Sequence, residues 1–282
     1  MSVKFIIDSA SDILRDYAER NDMIFMPMTT RIDEQDYLDG VDISHEEFYK
    51  KLSETKSLPK TSQLSRFAFE EVYEKVRQSG DEAVVITISG GLSGTAGETA
   101  AAAESYRDCI WTVDSNNVTI GEHILIKYAE RLRAEGLGAA QIAARLEEVK
   151  SKVCLIAMFD TLEYLVKGGR VSKTAGFAGG LLGIKPVFSI KDGQLSLLGK
   201  ARGSKQSNNL LNKYIEQTGG IDFSMPYMAA YSGIDRSLLD AYIQDSRHIW
   251  EGRADDIPVS TIGSTIGTHA GPGAIAVAYF CK

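Results

Sequence analysis

The hydrophobic residues in the first half of the chain follow two alternating periods. Short apolar runs rich in β-branched residues cover positions 3–7, 24–30, 83–88 and 110–113, and each has the length of a strand. Between these runs, apolar residues recur at helical spacing, as in residues 65–79, where Ser65 can cap the helix. Further helices are predicted over 94–106, 118–134 and 138–150. Strands that alternate with helices indicate a mostly parallel sheet covered on both faces.

The second half of the chain carries a different pattern. Residues 185–198 are predicted to form two strands joined at Asp192-Gly193, a dipeptide that favours a tight two-residue hairpin turn. Other strands are predicted over 153–159, 227–231, 258–262 and 274–280, and helices over 204–217 and 236–249. The chain is therefore predicted to be a two-domain α/β protein. Its N-terminal domain, residues 1–155, holds a mostly parallel sheet, and its C-terminal domain, residues 156–282, holds a mixed sheet with helices.

Composition narrows the class of protein. A chain of 282 residues is long enough for two hydrophobic cores, and its net charge of -7 argues against a nucleic-acid partner. No apolar stretch approaches the length needed to span a bilayer, and the N-terminus does not have the pattern of a signal peptide. The three cysteines lie far apart in sequence, each in or beside an apolar run, as in a reducing compartment. We therefore expect a cytoplasmic protein.

The stretch SGGLSGT, residues 89–95, lies where a predicted strand passes into a predicted helix. Unpaired N–H groups and the positive end of the dipole at a helix start favour an anion, although Ser93 can also be a plain N-cap. A nucleophile elbow would need glycine where Thr95 stands, a P-loop would need a lysine, and a dinucleotide fingerprint would need G-x-G-x-x-G. We therefore predict a site for a carboxylate or a single phosphate, formed by the Ser93 hydroxyl and the backbone of Gly94 and Thr95.

Four other side chains suit a polar site, and each has a structural alternative. Thr61 lies in KTSQ, which can be an ordinary loop with capping hydroxyls. Arg170 follows two glycines and Arg202 lies in KARG, where each guanidinium can be solvated or can bind a carboxylate. His269 lies in GTHAGPG, where it can be a structural histidine, although loops this constrained more often serve a site. The four histidines lack the spacing of metal ligands, so we expect no metal.

Six motifs occur in a fixed order along the chain: DSASD, KTSQ, SGGLSGT, DTLEYLVKGGR, GIKPVFSIKDGQL and GTHAGPGAIAV. In sequence and spacing they resemble the DegV family, from residue 3 to residue 281. The resemblance implies a two-domain α/β protein that binds a long-chain fatty acid in a buried tunnel, as the fatty-acid-binding subunit of a bacterial fatty-acid kinase. A separate kinase subunit would use ATP to convert the bound carboxyl to an acyl phosphate for phospholipid synthesis.

The same resemblance implies roles for individual residues. Thr61, Ser93 and His269 would hold the carboxylate, and Arg170 and Arg202 would lie near the carboxyl end or face the kinase. The small residues in 174–182 would let the acyl chain thread past a helix of the C-terminal domain, but close packing in a core explains them equally well. The resemblance implies a non-catalytic protein with no cofactor and no stable membrane insertion, and it leaves transient membrane contact open.

Two other functions fit the same residues. A serine-dependent acyl-ester hydrolase would use Ser93 as nucleophile and His269 as base, but the nucleophile motif is incomplete. A protein that binds a small phosphate or a lipid phosphate would use the same helix start. The carrier hypothesis is favoured because the chain has no ATP-binding motif, so the phosphoryl donor must come from another protein.

Overall fold

The computed structural model describes residues 2–171, 183–254 and 256–282. In chain order the strands are β1 Val3–Asp8, β2 Met23–Met26, β3 Thr29–Ile32, β4 Gln35–Leu38, β5 Lys60–Ser62, β6 Glu82–Thr87, β7 Ile110–Asp114, β8 Val153–Met158, β9 Ile184–Lys191, β10 Gln194–Arg202, β11 Tyr227–Tyr231, β12 Val259–Thr261 and β13 Ile275–Phe280. The helices are α1 Arg15–Arg20, α2 His45–Glu54, α3 Arg66–Ser79, α4 Thr95–Ala103, α5 Ile120–Ala134, α6 Ala139–Val149, α7 Glu163–Lys167, α8 Ser204–Gln217, α9 Ser237–Asp245, α10 Arg247–Trp250 and α11 Ser264–Ala270. Short 3-10 helices cover Ser9–Ser11 and Lys150–Lys152.

The N-terminal sheet has the order β2-β1-β6-β7, and all its pairs are parallel. Its central strands are buried on both faces over most of their length, which explains why they are continuous apolar runs. Ser65 caps α3 as predicted, because its hydroxyl accepts a hydrogen bond from the Ala68 N–H. The parallel sheet expected from the alternating pattern is confirmed.

One predicted strand of the N-terminal half is wrong. The apolar run 24–30 is divided between β2 and β3, which belong to different sheets. Pro27 lies between them and has no N–H to donate to a sheet ladder, so the strand ends there. After the break, β3 pairs with β4 and β5 in a small antiparallel sheet that the sequence pattern did not reveal, and α2 was also missed.

The C-terminal sheet has the order β10-β9-β8-β13-β11-β12. Only the β11–β12 pair is parallel among the described strands of this sheet, so the predicted mixed sheet is confirmed. The predicted hairpin turn joins β9 to β10, and its two residues, Asp192 and Gly193, have φ values of 51° and 73°. Positive φ at both central residues is what a type I′ turn requires.

The two large sheets share one hydrophobic core, with α5 packed against strands of both. Phe5 and Ile86 from the parallel sheet belong to the same buried cluster as Leu155 and Ala276 from the mixed sheet. A boundary at residue 155 would divide β8, which pairs only within the mixed sheet. We therefore propose that the boundary between the predicted domains lies before Val153.

Candidate functional site

A cavity of about 200 Å³ lies between the two large sheets. Most of the polar groups gather at one part of its wall, and most of the remaining wall is apolar. The polar lining residues are Thr61, Gln63, Ser93, Gly94, Thr119, Arg170, Thr265 and His269. The apolar lining residues are Met28, Ile88, Leu92, Val118, Leu155, Ala157, Phe159, Leu165, Leu195, Ile262, Ile266, Ala270, Ala274 and Ala276.

The cavity runs alongside β8 and α11. Leu155, Ala157 and Phe159 alternate along β8 and its end, so they face the cavity over about 13 Å. The Phe159 end lies near Ala270, in the same buried cluster, and therefore near His269 in the last turn of α11. The Leu155 end shares its cluster with Met28 and Val118. We call these the head end and the far end of the cavity.

Thr61 and His269 meet at the head end, although 208 residues separate them in the chain. The Oγ1 atom of Thr61 lies 2.8 Å from Nε2 of His269. Thr61 is held by the pairing of β5 with β3, where it stands opposite Thr30. The prediction that His269 lies in a loop is wrong, because it belongs to α11, which ends at Ala270 and is followed by Gly271 with a φ of 68°.

His269 is in its neutral form at pH 7. Burial, and secondly the positive charge of Arg170, lower the pKa of its imidazole from 6.5 to about 4. Its Nδ1 atom is buried without a hydrogen-bond partner. An ideal Cβ on Gly168 would lie 2.3 Å from this nitrogen, so the backbone of Gly168 covers it.

Ser93 also lies at the head end. Its Oγ is 3.0 Å from Oγ1 of Thr95 and accepts a hydrogen bond from the Thr95 N–H at 3.3 Å. The N–H of Thr95 is therefore already engaged, and Thr95 is fully buried and does not line the cavity, whereas Gly94 does. Two parts of the predicted anion site, the Ser93 hydroxyl and Gly94, therefore lie in the cavity wall.

Arg170 joins the loop that carries Ser93 to the segment after α7. Its Nε donates to the Leu92 carbonyl at 3.3 Å, and its Nη1 donates to the Gly168 carbonyl at 2.8 Å. Among the ion pairs of the described residues none includes Arg170, and burial lowers the pKa of its guanidinium. An anion at the head end would therefore meet a cation that no carboxylate of the described ranges neutralises.

Arg202 is not brought to this site. It is exposed at the end of β10, where its backbone N–H donates to the Gln206 side chain at 3.0 Å, and it does not line the cavity. The proposed threading segment, residues 174–182, lies outside the described residues. The kinase-facing role of Arg202 and the tunnel role of that segment both stay predictions.

Sequence reasoning missed several residues of the cavity. Gln63 follows Thr61 by two positions, and its Nε2 donates to Glu98 at 3.3 Å while its side chain covers Gly94. Thr119 and Thr265 lie at the far end of the cavity. Only Gln63 carried a sequence signal, its place in KTSQ, because nothing in the local pattern relates the two threonines to the cavity.

The arrangement does not contain a catalytic triad. No hydrogen bond among the described residues joins Ser93 to His269, and the free nitrogen of His269 has no carboxylate to orient it. Within the described ranges, no group of three or more His, Cys, Asp or Glu side chains could hold a metal ion. Nor does any helix of these ranges have the length and apolar character needed to cross a membrane.

The fold and the site together define an α/β protein with two large sheets and, between them, an apolar cavity that has a polar end. The model of the DegV family, described as an uncharacterised protein family, matches residues 2–282. A DegV domain-containing protein of Caldanaerobacter subterraneus is 34% identical over 276 residues, which cover 98% of this chain and 97% of the relative. The chain therefore belongs to the DegV family.

Solved structures share the fold over the full chain. A DegV family protein from Thermus thermophilus, described as binding fatty acid, is 28% identical with a TM-score of 0.87, covering 99% of this chain and 100% of that one. A stearic-acid-binding protein from Eubacterium ventriosum is 28% identical with a TM-score of 0.85, covering 100% of this chain and 99% of that one. The fatty acid kinase B3 protein of Streptococcus pneumoniae, loaded with linoleic acid, shares the fold at 22% identity, with a TM-score of 0.84 and full coverage of both chains.

Proposed function

We propose that this protein binds a long-chain fatty acid and presents its carboxylate to a separate kinase. The observation that carries the proposal is the cavity itself, whose apolar length ends in hydroxyls, an imidazole and an unneutralised guanidinium. A carboxylate accepts several hydrogen bonds, and bonds to charged groups are stronger than bonds between neutral groups. Each methylene buried in the apolar part contributes about 0.8 kcal/mol, so the chain supplies most of the affinity.

The tautomer of His269 determines what the head end can donate. With the imidazole proton on Nε2, His269 donates to Thr61, and the Thr61 hydroxyl keeps its own proton for the carboxylate. The Ser93 hydroxyl can likewise donate its proton to the carboxylate. In this arrangement two hydroxyls and Arg170 bind the carboxylate, and His269 orients one of the hydroxyls.

The chemical step belongs to the partner. A carboxylate oxygen of the bound acid attacks the γ-phosphorus of ATP, the bond to the bridging oxygen breaks, and ADP leaves with the electron pair. The product is an acyl phosphate for phospholipid synthesis. The likeness in fold to the kinase B3 protein supports this role, in which Arg202 faces the kinase and the protein works in the cytoplasm with only transient membrane contact. No cofactor is needed on this chain.

Mass spectrometry of the freshly purified, denatured protein tests the binding function. We expect release of a long-chain fatty acid that is not covalently attached. A Ser93→Ala variant should bind stearic acid roughly 10-fold more weakly, since a hydrogen bond to a charged group contributes about 1.5–3 kcal/mol. Ser62→Ala, which removes an exposed hydroxyl from β5, is the matched control and should bind normally.

The two rivals predict different results. A covalent acyl-enzyme, or loss of ester turnover in Ser93→Ala with ligand uptake intact, would establish the hydrolase. A bound phosphate compound in place of a fatty acid would establish a protein that binds a small phosphate or a lipid phosphate. If the loaded protein yields no acyl phosphate with ATP and the cognate kinase, the kinase-subunit role fails while fatty-acid binding stands.

A further inference from the structure

The far end of the cavity is not uniformly apolar. Thr119 and Thr265 both line it, with exposed fractions of only 4% and 3%. Their neighbours on the wall, Met28, Val118 and Leu155, are hydrophobic. In ligand sites, a few polar groups in an apolar wall fix the position of matching groups on the ligand.

Each of these hydroxyls has hydrogen-bonding capacity left. The Thr119 hydroxyl bonds Oδ2 of Asp12, a buried carboxyl whose pKa is raised by burial. A hydroxyl can donate once and accept twice, so this single bond does not exhaust it. The Oγ1 of Thr265 lies 3.5 Å from Oγ of Ser9, well beyond the usual O–H···O distance of about 2.7–2.8 Å.

The backbone of Thr119 supports a specific role. This residue precedes α5 with φ 51° and ψ -132°, although β-branched residues rarely adopt positive φ. Its N–H donates to the Ala10 carbonyl at 2.8 Å, which helps to hold it there. Strained backbone of this kind clusters at active sites, ligand clamps and switch regions.

The position of the two threonines along the cavity can be measured on α11. Asp12 binds both Thr119 and the N–H of Gly263, so Thr119 lies beside the start of the helix, while Thr265 lies in its first turn. His269, at the head end, lies in the last turn. Gly263 and His269 are six residues apart, which is about 9 Å along a helix axis.

An extended acyl chain advances roughly 1.3 Å per carbon, given single bonds of about 1.5 Å. The start of α11 is therefore about seven carbons from the head end, and the Leu155 end of β8 is about ten. The threonines thus lie beside roughly the seventh to tenth carbons, near the middle of an 18-carbon chain. We propose that the cavity selects fatty acids with a hydroxyl group in the middle of the chain, which Thr265 and Thr119 bind. This inference rests on the proposed function, because it assigns the acyl class for the same cavity.

Competition binding with three acids tests the inference. Stearic acid, 10-hydroxystearic acid and 3-hydroxystearic acid have the same length and differ only in the hydroxyl. We expect the wild-type protein to bind 10-hydroxystearic acid more tightly than stearic acid, and 3-hydroxystearic acid more weakly than stearic acid. Binding of 10-hydroxystearic acid that is equal to or weaker than binding of stearic acid would overturn the inference.

Variants separate hydrogen bonding from packing. Thr265→Val replaces the hydroxyl with a methyl group, and should weaken binding of 10-hydroxystearic acid about tenfold while changing stearic acid less than twofold. Thr265→Ser should keep the wild-type preference. Thr268→Val is the matched control, since Thr268 is buried in the same helix with its hydroxyl donated to the Ser264 carbonyl and does not line the cavity.

An equal loss of affinity for both acids in Thr265→Val would show a packing effect and overturn the inference. If Thr265→Val does not fold, Thr265→Ala supplies the same comparison, because it also removes the hydroxyl at residue 265 and leaves the bond between Thr119 and Asp12 intact. Failure of every acid to bind the wild-type protein would instead refute the proposed function. Tight binding of stearic acid without any response to the mid-chain hydroxyl would refute only the inference.

Discussion

At the scale of single residues, the head end depends on an imidazole kept neutral by its surroundings. Burial and Arg170 lower the pKa of His269 to about 4, so the neutral form persists throughout the physiological range. The folded protein therefore binds a proton at His269 less readily than the unfolded chain. This contribution to stability is present above pH 6.5 and is lost as the pH falls from 6.5 towards 4.

A bound carboxylate should change this titration. An anion near the imidazole stabilises the protonated form, so loading with stearic acid should raise the pKa of His269 above its value of about 4 in the free protein. NMR titration of the imidazole signals, assigned with a His269→Gln variant, measures both values. His123, buried away from the cavity with a pKa of about 3, is the internal control and should not respond. Equal pKa values of His269 with and without ligand would contradict the placement of the carboxylate beside the imidazole.

At the scale of elements, α11 positions His269 but depends on distant residues. The Asp39 carboxylate accepts hydrogen bonds from the N–H groups of Ser264 and Thr265, at 2.9 and 3.1 Å. It thus provides the capping that Gly263, as the N-cap residue, cannot. The sequence around His269 is rich in glycine and predicts a loop, because the carboxylate that stabilises the helix is 225 residues away.

Removal of this cap should therefore destabilise the protein. Asp39→Ala should lower the free energy of unfolding by about 1–2 kcal/mol, as loss of an N-cap does, and should weaken fatty-acid binding because His269 moves with α11. Urea unfolding and ligand titration measure the two effects. Asp36→Ala, which removes an exposed carboxylate from β4, should change stability by less than about 0.5 kcal/mol. If Asp39→Ala changes neither the free energy of unfolding nor fatty-acid binding, α11 does not need this cap.

The hairpin tip between β9 and β10 supports the loop that carries Ser93. The Ser89 hydroxyl donates to the Gly193 carbonyl at 2.8 Å, and a Cβ on Gly91 would lie 2.5 Å from the same oxygen. The sequence predicted the turn correctly, because Asp-Gly has a local preference. It could not show that the turn contacts the loop, because that contact depends on how the two sheets pack.

Two glycine substitutions test this contact. Gly91→Ala should displace the hairpin or the loop, which costs roughly 1–3 kcal/mol of stability, and should weaken binding of stearic acid. Gly97→Ala, in α4 where an added Cβ would meet no other atom within 4 Å, should instead stabilise the protein by up to about 1 kcal/mol. Thermal unfolding and ligand titration of both variants give the comparison. If Gly91→Ala binds stearic acid normally, the contact does not position Ser93.

At the scale of the whole molecule, the cavity joins the two sheets. Ile88 and Val118 come from the N-terminal half, whereas Leu155 and Ala276 come from strands of the mixed sheet. The fold class followed from hydrophobic periods that each strand and helix carries locally. The cavity could not be predicted in this way, because Thr61, in the small antiparallel sheet, and His269, in α11, are brought together only by the tertiary fold. Their partnership was implied by family resemblance.

A ligand that contacts both sheets should stabilise the entire chain. At a free concentration 100 times its Kd, a ligand that binds only the folded state adds about 2.7 kcal/mol. We expect the Tm to fall after lipid extraction and to recover with stearic acid. Methyl stearate, which lacks the carboxylate, should restore less of the lost Tm. Identical Tm values for the extracted and reloaded protein would contradict binding between the sheets.

The close contact of Gly168 with His269 also limits what this protein can become by mutation. A hydrolase would need an acidic group at Nδ1 of the imidazole, but that nitrogen faces main chain at a distance too short for even a methyl group. No single substitution at residue 168 can therefore place a carboxylate there without moving α7 away from α11. The backbone at residue 168 thus keeps His269 from becoming the base of a serine–histidine–carboxylate triad by one substitution there.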